Sequence, residues 1–504
     1  MRRQSPIAPI DSPRDFGIHE VFFSTTNRKG IIAYGNRVFA RVSGYPIEEM
    51  MGQPHNMIRH PDVPRAVFKL FWDYLLAGKP VAAYVKNMAA DGRYYWVVAL
   101  AAPIADGGFL SVRFKPSSRL FDSVRPLYAD LRAVEQAHGD RAAGMAAAAA
   151  RLEEWLKSQG FGDYEAFMHA LLHQELTSRD RLLSQDKLSV FPPLPSSGSD
   201  ESALGRVLGV LYGQSQPYYE RLHRLYDQLD RYARVQEEID RYQRAILDQT
   251  KKLRVRYLNL TVTAGRLGEA GKTLSAIARN LGDAASQMAD TVAQVSGLAT
   301  RVAGRLGEVI FSLGWARAQF EMQIVFYHEV FAQAADPGER HRVRASLGRL
   351  ADLQYTFAQT IQRAEEALHS LQTELTRLAV EVEELRKATL LLQVTYVGGR
   401  VEAARRSDLG TVTTIFADVR SHIEDMTGQL SGFKQGIDGL NDLASRTPEI
   451  LRLLAELAER MRADQQMLTQ IRTEPESAPE PDGSSPAASR PSMTPVPAAA
   501  GLAA

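Results

Sequence analysis

Between residues 53 and 64 the chain reads QPHNMIRHPDVP, which gathers His55, Arg59, His60 and Asp62 into one proline-bounded stretch. The protein has 11 histidines and no cysteine in 504 residues, so such a cluster needs a reason. Three chemistries fit the residue types: an acid–base site, a metal or haem ligand, or the polar wall of a cofactor pocket. No nucleophile, base and orienting group accompany the cluster, which argues against catalysis and against an enzyme. The absence of cysteine removes disulfides, thiolate metal sites and any flavin–cysteine adduct. A pocket wall needs an apolar slot, a few hydrogen-bonding groups and a cation, and Arg59 supplies a charge. His60 and Asn87 supply hydrogen bonds and Trp72 a flat apolar surface. Haem ligation by His60 is the alternative, since one imidazole in an apolar pocket suffices. The structural alternatives are plainer: Asp62 capping the helix that begins near Pro64, Arg59 paired with an acid, His55 exposed, Trp72 an ordinary core aromatic.

The elements that must position these groups read as strands and short helices. Residues 21–26, 31–34, 82–87, 94–101 and 109–114 are β-branched and aromatic, with Asp91-Gly92 and Asp106-Gly107-Gly108 as turns between the last three. Helical patches fall at 36–43, 46–50 and 64–78, the last opening at Pro64 and closing at Gly78. The expected fold is α+β: a five-stranded antiparallel sheet with helices on one face, over residues 20–118, behind a flexible terminus at 1–19. A helical connector at 119–190 and a Pro/Ser/Gly linker at 191–202 follow.

Beyond the linker apolar residues recur in 4,3 steps, from Leu260 through Leu306, from Leu347 through Leu385 and from Val419 through Met461. The rhythm predicts a long helical segment at 203–335 and a helical hairpin at 339–472 turning near Ser407–Gly410, before a disordered tail at 473–504. An isolated hairpin leaves its apolar seam uncovered, so a homodimer is expected to complete four helices. Lys plus Arg (60) balances Asp plus Glu (59), which gives no electrostatic case for nucleic acid. No apolar run approaches the ~18 residues of a membrane span, and a cytoplasmic protein is expected. The segment 265-GRLGEAGKT-273 is not a phosphate loop: the first glycine of that motif falls on Arg266, and the heptads appear continuous through it. His169 and His173, one helical turn apart, suit packing better than a metal.

The runs 30-GIIAYGNRVFARVSGYPIEEMMG-52, 52-GQPHNMIRHPDVPRAVFKLFWDYLLAGKP-80 and 85-VKNMAADGRYYWV-97 resemble the FAD-holding PAS sensor domain of bacterial aerotaxis receptors. The resemblance implies a PAS fold, FAD as cofactor, and Arg59, His60, Asp62, Trp72 and Asn87 as its contacts. It implies redox or oxygen sensing, with a cofactor-free scaffold as the alternative. The segment 401-VEAARRSDLGTVTTIFADVR-420 resembles a worn hairpin tip of methyl-accepting chemotaxis receptors. That implies a chemotaxis histidine kinase and coupling protein, or a substitute, as partners. The departure at Gly398-Gly399-Arg400 leaves the contacting residues unassigned.

Overall fold

The computed structural model describes residues 7–104, 107–191, 203–266, 268, 272–335, 340–405 and 410–473. The expected hairpin tip at 406–409, most of the 191–202 linker and the 474–504 tail lie outside the described residues.

The amino-terminal unit is a mixed sheet of β1 (Ile10–Pro13), β2 (Val21–Thr26), β3 (Ile32–Gly35), β4 (Val81–Met88), β5 (Arg93–Pro103) and β6 (Phe109–Phe114). Five strands pair antiparallel in the order β4-β5-β6-β2-β3, as the alternating patterns require. The sixth corrects the expectation of a flexible terminus: β1 pairs parallel with the start of β5. Its backbone is held by Ile10 N–H to Gly92 O (2.8 Å) and Arg14 N–H to Tyr94 O (2.7 Å). The Arg14 side chain reaches Asp91 at 2.7 Å. Helices α1 (Arg37–Ser43), α2 (Ile47–Met50), a 3-10 turn (His55–Ile58) and α3 (Arg65–Leu76) lie between β3 and β4. Asn36 caps α1 by accepting from Phe39 N–H, and Gly44 ends it in the left-handed region that glycine tolerates.

Both faces of the sheet are covered, and strand periodicity sorts the side chains between them. Val85, Asn87, Ala99, Ala101, Ser111 and Arg113 face inward, toward α3 and the 3-10 turn. On the other face lie helices α4 (Arg119–Ala137) and α6 (Tyr164–Gln185), whereas α5 (Arg141–Ser158), between them in sequence, packs against α3. Phe121 of α4 packs on Tyr84 and Trp96, with ring centroids 5.2 Å away in each case.

Four long helices follow, α7 (Ala203–Arg266), α8 (Lys272–Ala335), α9 (Arg340–Ala404) and α10 (Gly410–Thr473), each spanning about 96 Å at 1.5 Å per residue. α8 packs on α7 and α9, and α10 on the same two, so one chain closes an antiparallel four-helix bundle. This overturns two expectations. Residues 203–335 are two helices, because the chain reverses between Arg266 and Lys272, and the second pair of helices comes from the same chain. The reason for expecting a homodimer therefore falls away. The 4,3 seams survive the reversal, and Leu260, Leu274, Met288, Phe357 and Phe433 are all buried. Periodicity identifies the buried face; it is silent on where the chain turns.

The carboxyl-terminal part of α8 is buried on every side, because the sheet and α6 dock there. Phe326 stacks edge-on to Phe23 at 5.1 Å and lies 5.3 Å from Tyr34. Gly314 lets α6 approach: a Cβ there would sit 3.2 Å from Leu176 and 3.1 Å from Tyr226. His169 and His173 belong to this packing, the first 5.0 Å from the Phe311 ring and the second 3.2 Å from the Tyr226 hydroxyl.

Candidate functional site

A cavity of about 380 Å³ lies between the inner face of the sheet, α3 and the 3-10 turn. Its floor is made of small residues, Ala99, Ala101 and Ser111, where larger ones would have filled the interior. Trp72 forms one wall, edge-on to Phe109 at 5.4 Å, and its ring approaches the backbone at Gly30, where a Cβ would lie 3.1 Å from the indole. The volume suits a planar ring system.

Of the five residues expected to contact a cofactor, three line this space and two do not. Arg59, Trp72 and Asn87 line it. Asn87 is 3% exposed and its Nδ2 has no partner, a buried donor awaiting an acceptor. Arg59 lies 4.0 Å over the Phe68 ring and donates to Val63 O at 3.2 Å. Burial lowers its pKa, and Arg65, Arg132 and Arg141 add repulsion that Glu135 partly offsets.

His60 and Asp62 are the correction. His60 is buried outside the cavity lining, its Nδ1 accepting from Asp62 N–H at 3.2 Å and its ring edge-on to Tyr94. Asp62 is exposed and paired with Lys86 at 2.6 Å. Haem ligation by His60 loses its geometry. Asp62 does not cap α3 either, since Glu135 of α4 accepts from Ala66 N–H at 2.8 Å and does that work.

Of the lining residues outside the expected set, Arg113 and His55 bear most on the chemistry. Arg113 on β6 is 3% exposed and faces inward, where its Nη1 donates to Ser24 Oγ (3.0 Å) and its Nη2 to His55 Nε2 (2.7 Å). No carboxylate among the described residues pairs with it. Burial pushes its pKa down to about 10. His55, for which an exposed position was the plainer alternative, lines the cavity with its ring parallel to Phe39. Burial, then the Arg113 charge, pushes its pKa down to about 3, so the imidazole is neutral and offers Nε2 as acceptor. Period-two alternation along 109-FLSVRF-114 was the available signal, because it puts Arg113 on the same face as Phe109 and Ser111. The lining contains six cationic side chains, Lys29, Arg59, Arg65, Lys69, Arg113 and Arg141, and no carboxylate among the described residues.

A second polar cluster joins this domain to the bundle. Glu175 of α6 accepts from Ser117 N–H (2.6 Å), Ser118 Oγ (2.7 Å) and the Tyr84 hydroxyl (2.6 Å). One turn on, Arg179 donates to Ile18 O (2.9 Å) and to the Glu321 carboxylate of α8. Glu321 also accepts from the Tyr219 hydroxyl of α7 at 2.7 Å, and Arg317 bridges Asp180 and Glu321. Burial alone would raise the Glu321 carboxyl, but Arg179 and Arg317 outweigh it and hold it below the ordinary range. Glu175 and Arg179, one turn apart on α6, thus hold strand β4 at one end and the bundle core at the other.

Residues 32–112 match the family model of the PAS fold. The same region is similar to several curated proteins. It is 42% identical over 114 residues to the aerotaxis receptor of Escherichia coli (strain K12), covering 22% of each chain. It is 29% identical over 84 residues to the nitrogen fixation regulatory protein of Klebsiella pneumoniae, covering 17% of each. The chain thus spans about a fifth of the length of the curated relatives it matches. A solved light-oxygen-voltage domain aligns with 21% identity and a TM-score of 0.19, over 21% of this chain and 84% of its own. Among the described residues no helix is long and apolar enough to cross a membrane.

Proposed function

We propose that the protein is a non-enzymatic, cytoplasmic signal transducer whose PAS domain holds FAD and responds to redox state or oxygen. The four-helix rod carries the response to a chemotaxis histidine kinase and coupling protein, or to a substitute partner. The observation that carries the first part is the cavity itself, roomy, apolar-floored, lined by cations without acids, and containing the unpartnered Asn87 Nδ2. A bound flavin supplies a redox centre whose ring changes charge and proton count on reduction. Asn87 donates one hydrogen bond to it, and Trp72 and the alanine floor exclude water. Arg113 presents a positive charge that no internal acid neutralises, so it favours the more negative state of whatever lies beside it. His55 and Ser24 fix the guanidinium, and any shift in it moves β6 and β2, whose far faces touch α6 and α8. The Glu175, Arg179 and Glu321 contacts pass that shift to the rod.

The purified chain tests this through its absorption spectrum, before and after addition of FAD and then reductant. A yellow preparation whose spectrum bleaches on reduction supports the sensor. A colourless preparation unchanged by FAD favours a scaffold, a reading supported by the self-contained bundle.

A further inference from the structure

The cavity is not closed by PAS residues alone. Arg141 and Met145 of α5 line its mouth, and both lie beyond the segment that matches the PAS fold. α5 packs against α3, and a second cleft between them shares Lys69 and Met145 with the cavity lining. The alanine-rich face of α5, with Ala142, Ala146 and Ala149, leaves this cleft empty opposite Leu70 and Tyr74. At the junction stand Arg65 from α3 and Arg141 from α5, neither in an ion pair among the described residues. Lys69 is there too, shared with the exposed Asp73. Glu135 nearby is occupied by Arg132 and by the Ala66 N–H, and the acids that line the second cleft are Asp73, Glu153 and Asp163. Positive groups thus converge on one point from two helices whose separation is otherwise unfilled, a charge arrangement suited to the oxygens of a phosphate.

We propose that Arg65, Lys69 and Arg141 form a phosphate subsite in the α3–α5 cleft. It holds the pyrophosphate of a dinucleotide whose ring occupies the cavity, with the adenosine end lying along the alanine face of α5. The inference rests on the flavin reading above and extends it to residues outside the PAS fold. One ligand then touches the sensor domain through α3 and the following helices through α5, and α5 leads directly into α6, which docks on α8. Occupancy is thereby felt in the connector whatever the redox state.

The test is titration of the full chain with FAD, FMN and riboflavin, read by flavin fluorescence, for the unsubstituted protein and for Arg65→Gln and Arg141→Gln. Arg141 is exposed at the first turn of α5, so its replacement should leave the unliganded melting temperature in place. The expected result is a preference for FAD over riboflavin that falls roughly tenfold for each charge removed, as loss of one charge-assisted contact predicts. Riboflavin, which has no phosphate, should bind all three proteins alike, and added salt should weaken FAD only. Equal affinity of the unsubstituted protein for FAD and riboflavin overturns the subsite while leaving the flavin reading intact. So does an unchanged preference in both variants. Failure of all three flavins to bind the unsubstituted protein overturns both.

Discussion

Replacing Arg113 with methionine separates the cost of the buried cation from its use. The fall in its pKa to about 10 corresponds to roughly 3 kcal/mol disfavouring the charged form inside the protein. Methionine has nearly the same volume and removes that charge, but it strips Ser24 Oγ and His55 Nε2 of their donor, at about 1 kcal/mol each. The net expectation without ligand is a gain on the order of 1 kcal/mol, or a rise of about 4–8 °C in the melting temperature of the PAS unit. With flavin present the order should invert: FAD stabilises the unsubstituted protein more than Arg113→Met, and the substituted protein needs at least tenfold more FAD for the same shift. Differential scanning calorimetry with and without FAD reads both effects. An Arg113→Met protein that is less stable without ligand and equally stabilised by FAD would make Arg113 an ordinary structural hydrogen-bond donor and refute a role in binding.

The His55 imidazole takes no proton in the fold until about pH 3, whereas the unfolded chain takes one near 6.5. Stability of the PAS unit should therefore fall as pH drops below about 6.5, and His55→Gln should flatten that slope in urea titrations. Asp464 behaves oppositely: burial outweighs Arg460 and raises its carboxyl to about 6, so the contribution is lost as pH rises from about 4 to 6. Asp464→Asn should stabilise the bundle at pH 7 by on the order of 1 kcal/mol, seen as a higher denaturation midpoint. Glu321→Gln leaves Arg179 and Arg317 with one carboxylate, Asp180, between them. A loss of about 3–5 kcal/mol is expected, and limited proteolysis should show the sensor released from the rod. Light scattering should give the 55.9 kDa of one chain, and a stable mass twice that would show a second interface beyond the bundle.

The sheet, the inward helices and the apolar seams were legible from local patterns, because each depends on residues two to four positions apart. What escaped depended on distant partners. β1 forms because Gly92 and Tyr94 offer carbonyls to residues 10 and 14, and nothing near Ile10 announces them. His60 looked like a cavity residue because it stands beside Arg59, but the backbone is extended at Arg59, so adjacent side chains point apart and the imidazole meets Tyr94. Glu135 holds the start of α3 from α4, a long step along the chain. The reversal after Arg266 was written locally in 265-GRLGEAGK-272, whose glycines outvote the heptad rhythm on either side.

The rod's closure within a single polypeptide sets its arithmetic. One PAS domain is tied to four helices of the same polypeptide, so the bundle carries no built-in twofold symmetry. Identical halves are not enforced, and each flank is free to diverge. The exposed large apolar residues of the rod already do so: Val255, Leu258 and Val262 lie on α7, Leu390, Val394 and Val397 on α9, and none are found on α8 or α10 among the described residues.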